Sequence, residues 1–262
     1  MSGLKGIENG LYNRCMERIY ASHSFGQKLR LGLVASGVFH NRSLYVEILI
    51  QFCTVTEVFE SLLEQNTKFQ TLSSELEQFL KEYDQGFSKS YKADITNLLN
   101  EKSVETIEFK NNASRVTKEY SKKIHDDANF GIYGIESLLA GLFILWGPLV
   151  IGGGATLYPH VKKAYGIEAT NLFKNVIGIG REKRKKQFIE LFDNIGSNSD
   201  HLGLDTDKIV EFCGDYMHRN NAIMISVKHK PCWYTYLGYG IAATIGLGAI
   251  YILWRKFKPE LR

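Results

Sequence analysis

Apolar residues recur at helical spacing along most of the chain, and the stripes they form predict an all-α protein. Over residues 10–36, Tyr12, Met16, Ile19, Tyr20 and His23 fall at three- and four-residue steps, which puts His23 on the side of Met16 and Tyr20. Ser36-Gly37 ends or bends that helix, and Asn41 or Ser43 caps the next. The second helix runs to about Glu64 with Leu44, Ile48, Phe52, Val55, Phe59 and Leu62 on one face, a stripe made for core packing. Leu76, Phe79, Leu80 and Tyr83 mark a helix over 73–84, interrupted by Gly86, and 92–99 predicts another. Residues 101–112 predict a surface loop. Val116, Tyr120 and Ile124 resume helical spacing, and Asp126-Asp127 are placed to cap the start of a further helix.

A charge-free run then extends from Ser137 to Tyr158, SLLAGLFILWGPLVIGGGATLY. It is long enough to span a bilayer and equally suited to a buried core helix. Pro148 and the glycines at 152, 153 and 154 make it a poor straight helix, because each costs helical stability. A break of this kind is useful where backbone must approach a flat ligand closely. A helix over 155–165 ends at Gly166, with a bend at Pro159; Gly178 and Gly180 break the chain again. Arg181, Lys183, Arg184, Lys185 and Lys186 then form a basic cluster, whose plain reading is a solvated helix face. Residues 197–205 predict a loop, and Thr206 caps a helix with Ile209, Phe212, Tyr216, Ile223 and Val227.

A second charge-free run, Cys232 to Trp254, has lysines before it and Arg255, Lys256 and Lys258 after it. Aromatic residues stand at both of its ends. Apolar centre, aromatic belts and basic flanks together predict a transmembrane helix, inserted as a tail anchor. The division of the chain is then an all-α domain over 1–228, a span over 232–254 and a short basic tail over 255–262. No apolar segment of a secretory signal opens the chain.

Composition adds exclusions. The net charge of +4 is too small to imply nucleic acid. The four cysteines are scattered without metal spacing, which predicts free thiols. Nucleophile-elbow, zinc-protease and phosphate-loop motifs are missing, Gly178-Ile-Gly180 lacks the rest of a dinucleotide fingerprint, and the paired Glu/His motifs of a di-iron bundle do not occur. Among seven histidines His23 is the best candidate for ligating heme iron from a helix face.

The segment from His23 through Gly37 into LYVEILIQFCTVTEVFESLLE resembles the first two helices of the heme oxygenases. Residues 114–154, SRVTKEYSKKIHDDANFGIYGIESLLAGLFILWGPLVIGGG, are similar to that family's run into its distal helix, where a glycine-rich motif crosses the heme. The resemblance covers roughly 10–227 and is one of layout, with few identities. It implies a single multihelical domain that binds heme as prosthetic group and substrate. Heme would be cleaved to biliverdin, CO and ferrous iron, with electrons from a membrane-bound NADPH-dependent reductase. His23 takes the place of the proximal iron ligand. Gly147, Gly152 and Gly153 take that of the distal kink. Arg184, Lys185 and Lys186 are similar in position to basic residues that meet the heme propionates, and Arg14 and Arg18 are candidates for a second propionate contact. One feature departs from the family: the distal Asp that delivers a proton for ring hydroxylation. In no register does a carboxylate fall there; Pro148, Leu149 or Val150 takes its place, and Glu136 is the nearest. The alternative is therefore a catalytically inactive, membrane-anchored heme-binding or interaction protein of the same fold. The resemblance implies the endoplasmic reticulum membrane, and a Gly-rich tail with a basic end also suits the mitochondrial outer membrane.

Overall fold

A computed structural model describes residues 10–35, 41–65, 86–99, 113–147 and 153–227. Ten α-helices and a 3-10 turn account for nearly all of them, with no strand among the described residues. In chain order they are α1 (Leu11–Ala35), α2 (Arg42–Gln65), α3 (Gly86–Leu99), α4 (Arg115–Phe130), α5 (Gly134–Trp146), α6 (Gly153–Tyr165), the turn Ile167–Thr170, α7 (Asn171–Ile179), α8 (Arg181–Ser197), α9 (Ser199–Leu202) and α10 (Thr206–Ser226). The expected helix over 73–84, the loop over 101–112, Gly37, Gly152 and the 232–254 run lie outside the described residues.

The charge-free run is two elements. Its first part forms α5, thirteen residues long, in which every side chain from Glu136 to Trp146 is buried against neighbouring helices. The chain leaves helical geometry at Gly147, and α6 begins at Gly153. No helix of the described residues is long and apolar enough to cross a membrane. Phe59 of α2 packs edge-on against Trp146 and touches Gly141, where even a Cβ would lie 2.6 Å from its ring. The α2 stripe is buried as its spacing predicts, and Asn41 caps it, accepting from the Leu44 amide at 3.2 Å.

Several boundaries differ from expectation. α3 starts at Gly86, not at 92, because Glu60 of α2 accepts hydrogen bonds from the Phe87 and Ser88 amides at 2.6 and 3.3 Å and so holds the first turn. Asp126 and Asp127 do not cap α5. They lie in the last turns of α4, paired with Lys122 and Lys123 one turn back, and the N-cap of α5 is Tyr133. α10 is capped by Asp205, whose carboxylate accepts from the Asp207 and Lys208 amides, rather than by Thr206. The stretch 197–205 contains the short α9. Gly180 does break the chain: its φ of +91° suits glycine, and α8 starts directly after it.

Helix starts held from another helix recur through the domain. Asp193 of α8 accepts from the Tyr12 amide of α1 at 3.0 Å. Asp94 of α3 accepts from the Asn171 and Leu172 amides of α7 at 2.7 and 3.0 Å. Gln51 of α2 accepts from the Ser114 amide at the start of α4 at 2.8 Å, and Glu136 of α5 from the Asp205 amide at the start of α10 at 3.0 Å. First-turn amides have no partner inside their own helix, so a buried start needs an acceptor from elsewhere.

Candidate functional site

α1 positions the central residue. Leu11, Cys15, Ile19 and Gly26 form its buried seam, and that seam packs along α10. Gly26 has room for no side chain, since a Cβ there would lie 2.5 Å from Asn221 Oδ1, and Asn221 Nδ2 donates to the Ser22 carbonyl at 2.7 Å. At about 100° per residue the two flanks of the seam are distinct. Tyr12, Met16, Tyr20 and His23 stand on one, Arg14 and Arg18 on the other.

The His23 flank looks toward the glycine break. Tyr12, on that flank, lies 5.6 Å ring to ring from Phe143 of α5 and 6.3 Å from Phe188 of α8. Burial and the neighbouring Asp193 carboxylate push its phenol pKa up. Gly147 sits against Phe188, where a Cβ would come within 2.7 Å of the ring. Leu11 meets Gly196 and Tyr12 meets Asp193 and Phe188, so the start of α1 crosses α8 over the stretch from Phe188 to Gly196. His23 is half-buried, while Tyr20, a turn before it, is 72% exposed instead of packed as its spacing predicts.

The basic cluster divides. Arg184 is fully buried, one turn beyond Phe188 on the stripe of Phe188, Leu191, Phe192 and Ile195, with its Nη1 donating to Gln187 at 3.3 Å. Lys185 and Lys186 are exposed, and Lys186 pairs with Glu190 at 3.5 Å. Arg14 is committed to the start of α10, bonding Thr206 Oγ1 at 3.0 Å and pairing with Asp207. Arg18 lies against Gly214 of α10. The structure thus places Phe188, and through it Gly147, against Tyr12 on the flank of α1 that also carries His23, with Arg184 one turn of α8 from Phe188, and keeps Arg14 and Arg18 on the opposite flank. Gly153 is buried at the first position of α6. Sequence reading missed the aromatic cluster of Tyr12, Phe143, Phe188 and Phe192 as part of the site; only the regular spacing of Phe188 and Phe192 hinted at it.

Glu136, the carboxylate nearest the break in sequence, is spent. It is buried and holds the Asp205 amide, eleven residues and about 16 Å along α5 from Gly147. The sequence offers no other Asp or Glu before Glu168. Cys15, Cys53 and Cys213 are buried free thiols, and no described group of three His, Cys, Asp or Glu converges on a bare metal ion.

By sequence the chain matches no protein-family model and no curated protein. Solved structures do match it. A crystal structure of heme oxygenase 2 from Chlamydomonas reinhardtii without heme superposes with a TM-score of 0.66 at 18% identity, over 84% of this chain and 98% of that one. Heme oxygenase from Leptospira interrogans gives 0.62 at 15% identity, over 82% and 98%. The fold is heme oxygenase-like. At these identities the heme oxygenase likeness establishes architecture, and the activity must be argued from the site.

Proposed function

We propose that this chain binds heme on the His23 flank of α1, where the His23 imidazole would hold the iron and Arg184 would supply a cation for a propionate. The observation that supports this most directly is the flank itself: Met16, Tyr20 and His23 form an exposed-to-half-buried stripe facing the side where the chain breaks at Gly147. The donor set fits the group. One imidazole, an apolar and aromatic wall, a buried guanidinium and a glycine backbone suit a flat, apolar, doubly anionic ligand. When bound, heme supplies an iron atom able to take up O2 and electrons, the latter from an NADPH-dependent reductase.

The chain's own residues argue against efficient ring cleavage. Oxygenase chemistry requires a proton delivered on the distal side, and residues 137–167 contain no carboxylate. Glu136 already accepts a backbone hydrogen bond far from the break. The primary reading is thus a membrane-anchored heme-binding protein on a heme oxygenase-like fold. The second is a working oxygenase whose proton source lies outside that stretch, favoured by the likeness of the whole fold. The 232–254 run is read as the anchor, in the endoplasmic reticulum or the mitochondrial outer membrane.

Hemin titration of the full chain in phosphatidylcholine nanodiscs tests this. A saturable, stoichiometric Soret band lost in His23→Ala supports the site, and its absence in the parent chain overturns it. Adding reductase and NADPH then separates the readings: a persistent band means a binder, and decay with biliverdin formation means an oxygenase.

A further inference from the structure

α10 is the last described element, and it ends at Ser226 with Val227 buried behind it. The charge-free run read as a membrane span starts five residues later, at Cys232. Whatever those residues do, covalent reach keeps Val227 within about 18 Å of the first residue of the span. The anchor therefore restricts which end of the bundle meets the bilayer.

The contacts around α10 identify that end. Ser226 Oγ lies 3.3 Å from Ser114 Oγ, at the start of α4, while Tyr216 bonds Asp127 near the end of α4 at 2.9 Å. α4 and α10 therefore run antiparallel. α1 runs parallel to α10, because Arg14 meets Thr206 and Gly26 meets Asn221. The end that gathers the finish of α10, the start of α4 and the later half of α1 presents Ile225, 61% exposed, and carries exposed Lys28, Lys118 and Arg115, the last paired with Glu119 at 2.7 Å. The far end of α4 presents a separate exposed apolar pair, Phe130 and Ile132 at 79% and 91% exposure. The length of α4, sixteen residues or about 24 Å, separates the two groups.

We infer that the end of the bundle carrying Ile225 and Arg115 docks on the phospholipid surface, which brings the His23 flank to the bilayer side of the domain. This rests on reading 232–254 as the membrane anchor. An exposed apolar residue at an end that also carries lysines suits the boundary between headgroup phosphates and acyl chains. His23 neighbours Ser22, which is bonded to Asn221, five residues or about 7.5 Å along α10 from the end of that helix. A lipophilic, anionic ligand leaving the bilayer would then enter the domain from the end of the bundle on which this flank opens.

Lipid quenching tests the orientation. The full chain in a Cys232→Ser background is given either Ile225→Cys or Ile132→Cys, labelled with a small fluorophore and inserted into phosphatidylcholine vesicles containing a headgroup nitroxide lipid. Both positions are exposed, so the fold tolerates either change. Loss of most fluorescence at position 225, with little loss at 132, is the expected result. Equal quenching at the two positions, or stronger quenching at 132, overturns the docking orientation while leaving the anchor intact. Failure of the parent chain to float with the vesicles overturns the anchor reading and this inference with it.

Discussion

Replacing Asp94 with Ala should destabilise the fold by an amount that grows as the solution becomes more acidic. Asp94 is fully buried and accepts the Asn171 and Leu172 amides and the Asn171 side-chain amide at 2.7, 3.0 and 2.8 Å. Burial outweighs these bonds and pushes its pKa up from 3.8 to about 6. The native state therefore takes up a proton near pH 6, whereas the unfolded chain does so near pH 4. The protonated carboxyl contributes stability that is fully present below the unfolded pKa and is lost as pH rises through the folded one. A shift of roughly two units corresponds to about 3 kcal/mol in all, of which about 2 kcal/mol develops between pH 7.5 and 4.5. Urea unfolding of parent and variant in mild detergent, followed by far-ultraviolet circular dichroism at several pH values, measures the difference and cancels groups common to both. The variant should lose stability at pH 7.5, because orphaned buried amides cost about 1–3 kcal/mol each, and lose about 2 kcal/mol more at pH 4.5. A difference that is flat with pH, or larger at pH 7.5, would refute the reasoning.

Asp205→Ala should cost about 1 kcal/mol in the same unfolding assay, through loss of the α10 cap. Gly141→Ala should destabilise by about 1–3 kcal/mol despite a better helix propensity, since the new methyl meets the Phe59 ring; a gain in stability would show that the α2–α5 contact relaxes freely. Arg14→Ala should leave hemin affinity unchanged and cost no more than about 1 kcal/mol in unfolding, because its ion pair is partly exposed and on the flank away from His23. Arg184→Leu should weaken hemin binding in the Soret titration while Lys185→Ala does not, reflecting the buried and exposed positions of the two.

The all-α class and α2 were legible because a long amphipathic stripe has one economical use, and Asn41 was legible as a cap because its partner is three residues away. The flank of α1 on which His23 stands could be read from the sequence because α1 is regular. The neighbours of Arg14 could not, since Thr206 returns to it from 192 residues further on. The same distance hid the fate of Glu136, whose partner amide is 69 residues away. Asp126 and Asp127 misled because acidic residues before an apolar run resemble a cap, whereas here they belong to one-turn ion pairs inside the preceding helix. The basic cluster looked uniform in sequence, and only the helical turn of α8 separates its buried member from its solvated ones.

The helix starts held from neighbouring helices bear on how the molecule opens. Asp193 ties α1 to α8, Glu60 ties α3 to α2, Asp94 ties α7 to α3, Gln51 ties α4 to α2, and Glu136 ties α10 to α5. A helix that frays from its first turn thereby strands a buried or half-buried acceptor on another helix, so local fluctuations are passed on instead of absorbed. Native-state hydrogen exchange would then find few small openings and a broad class of amides released together, at the free energy of global unfolding.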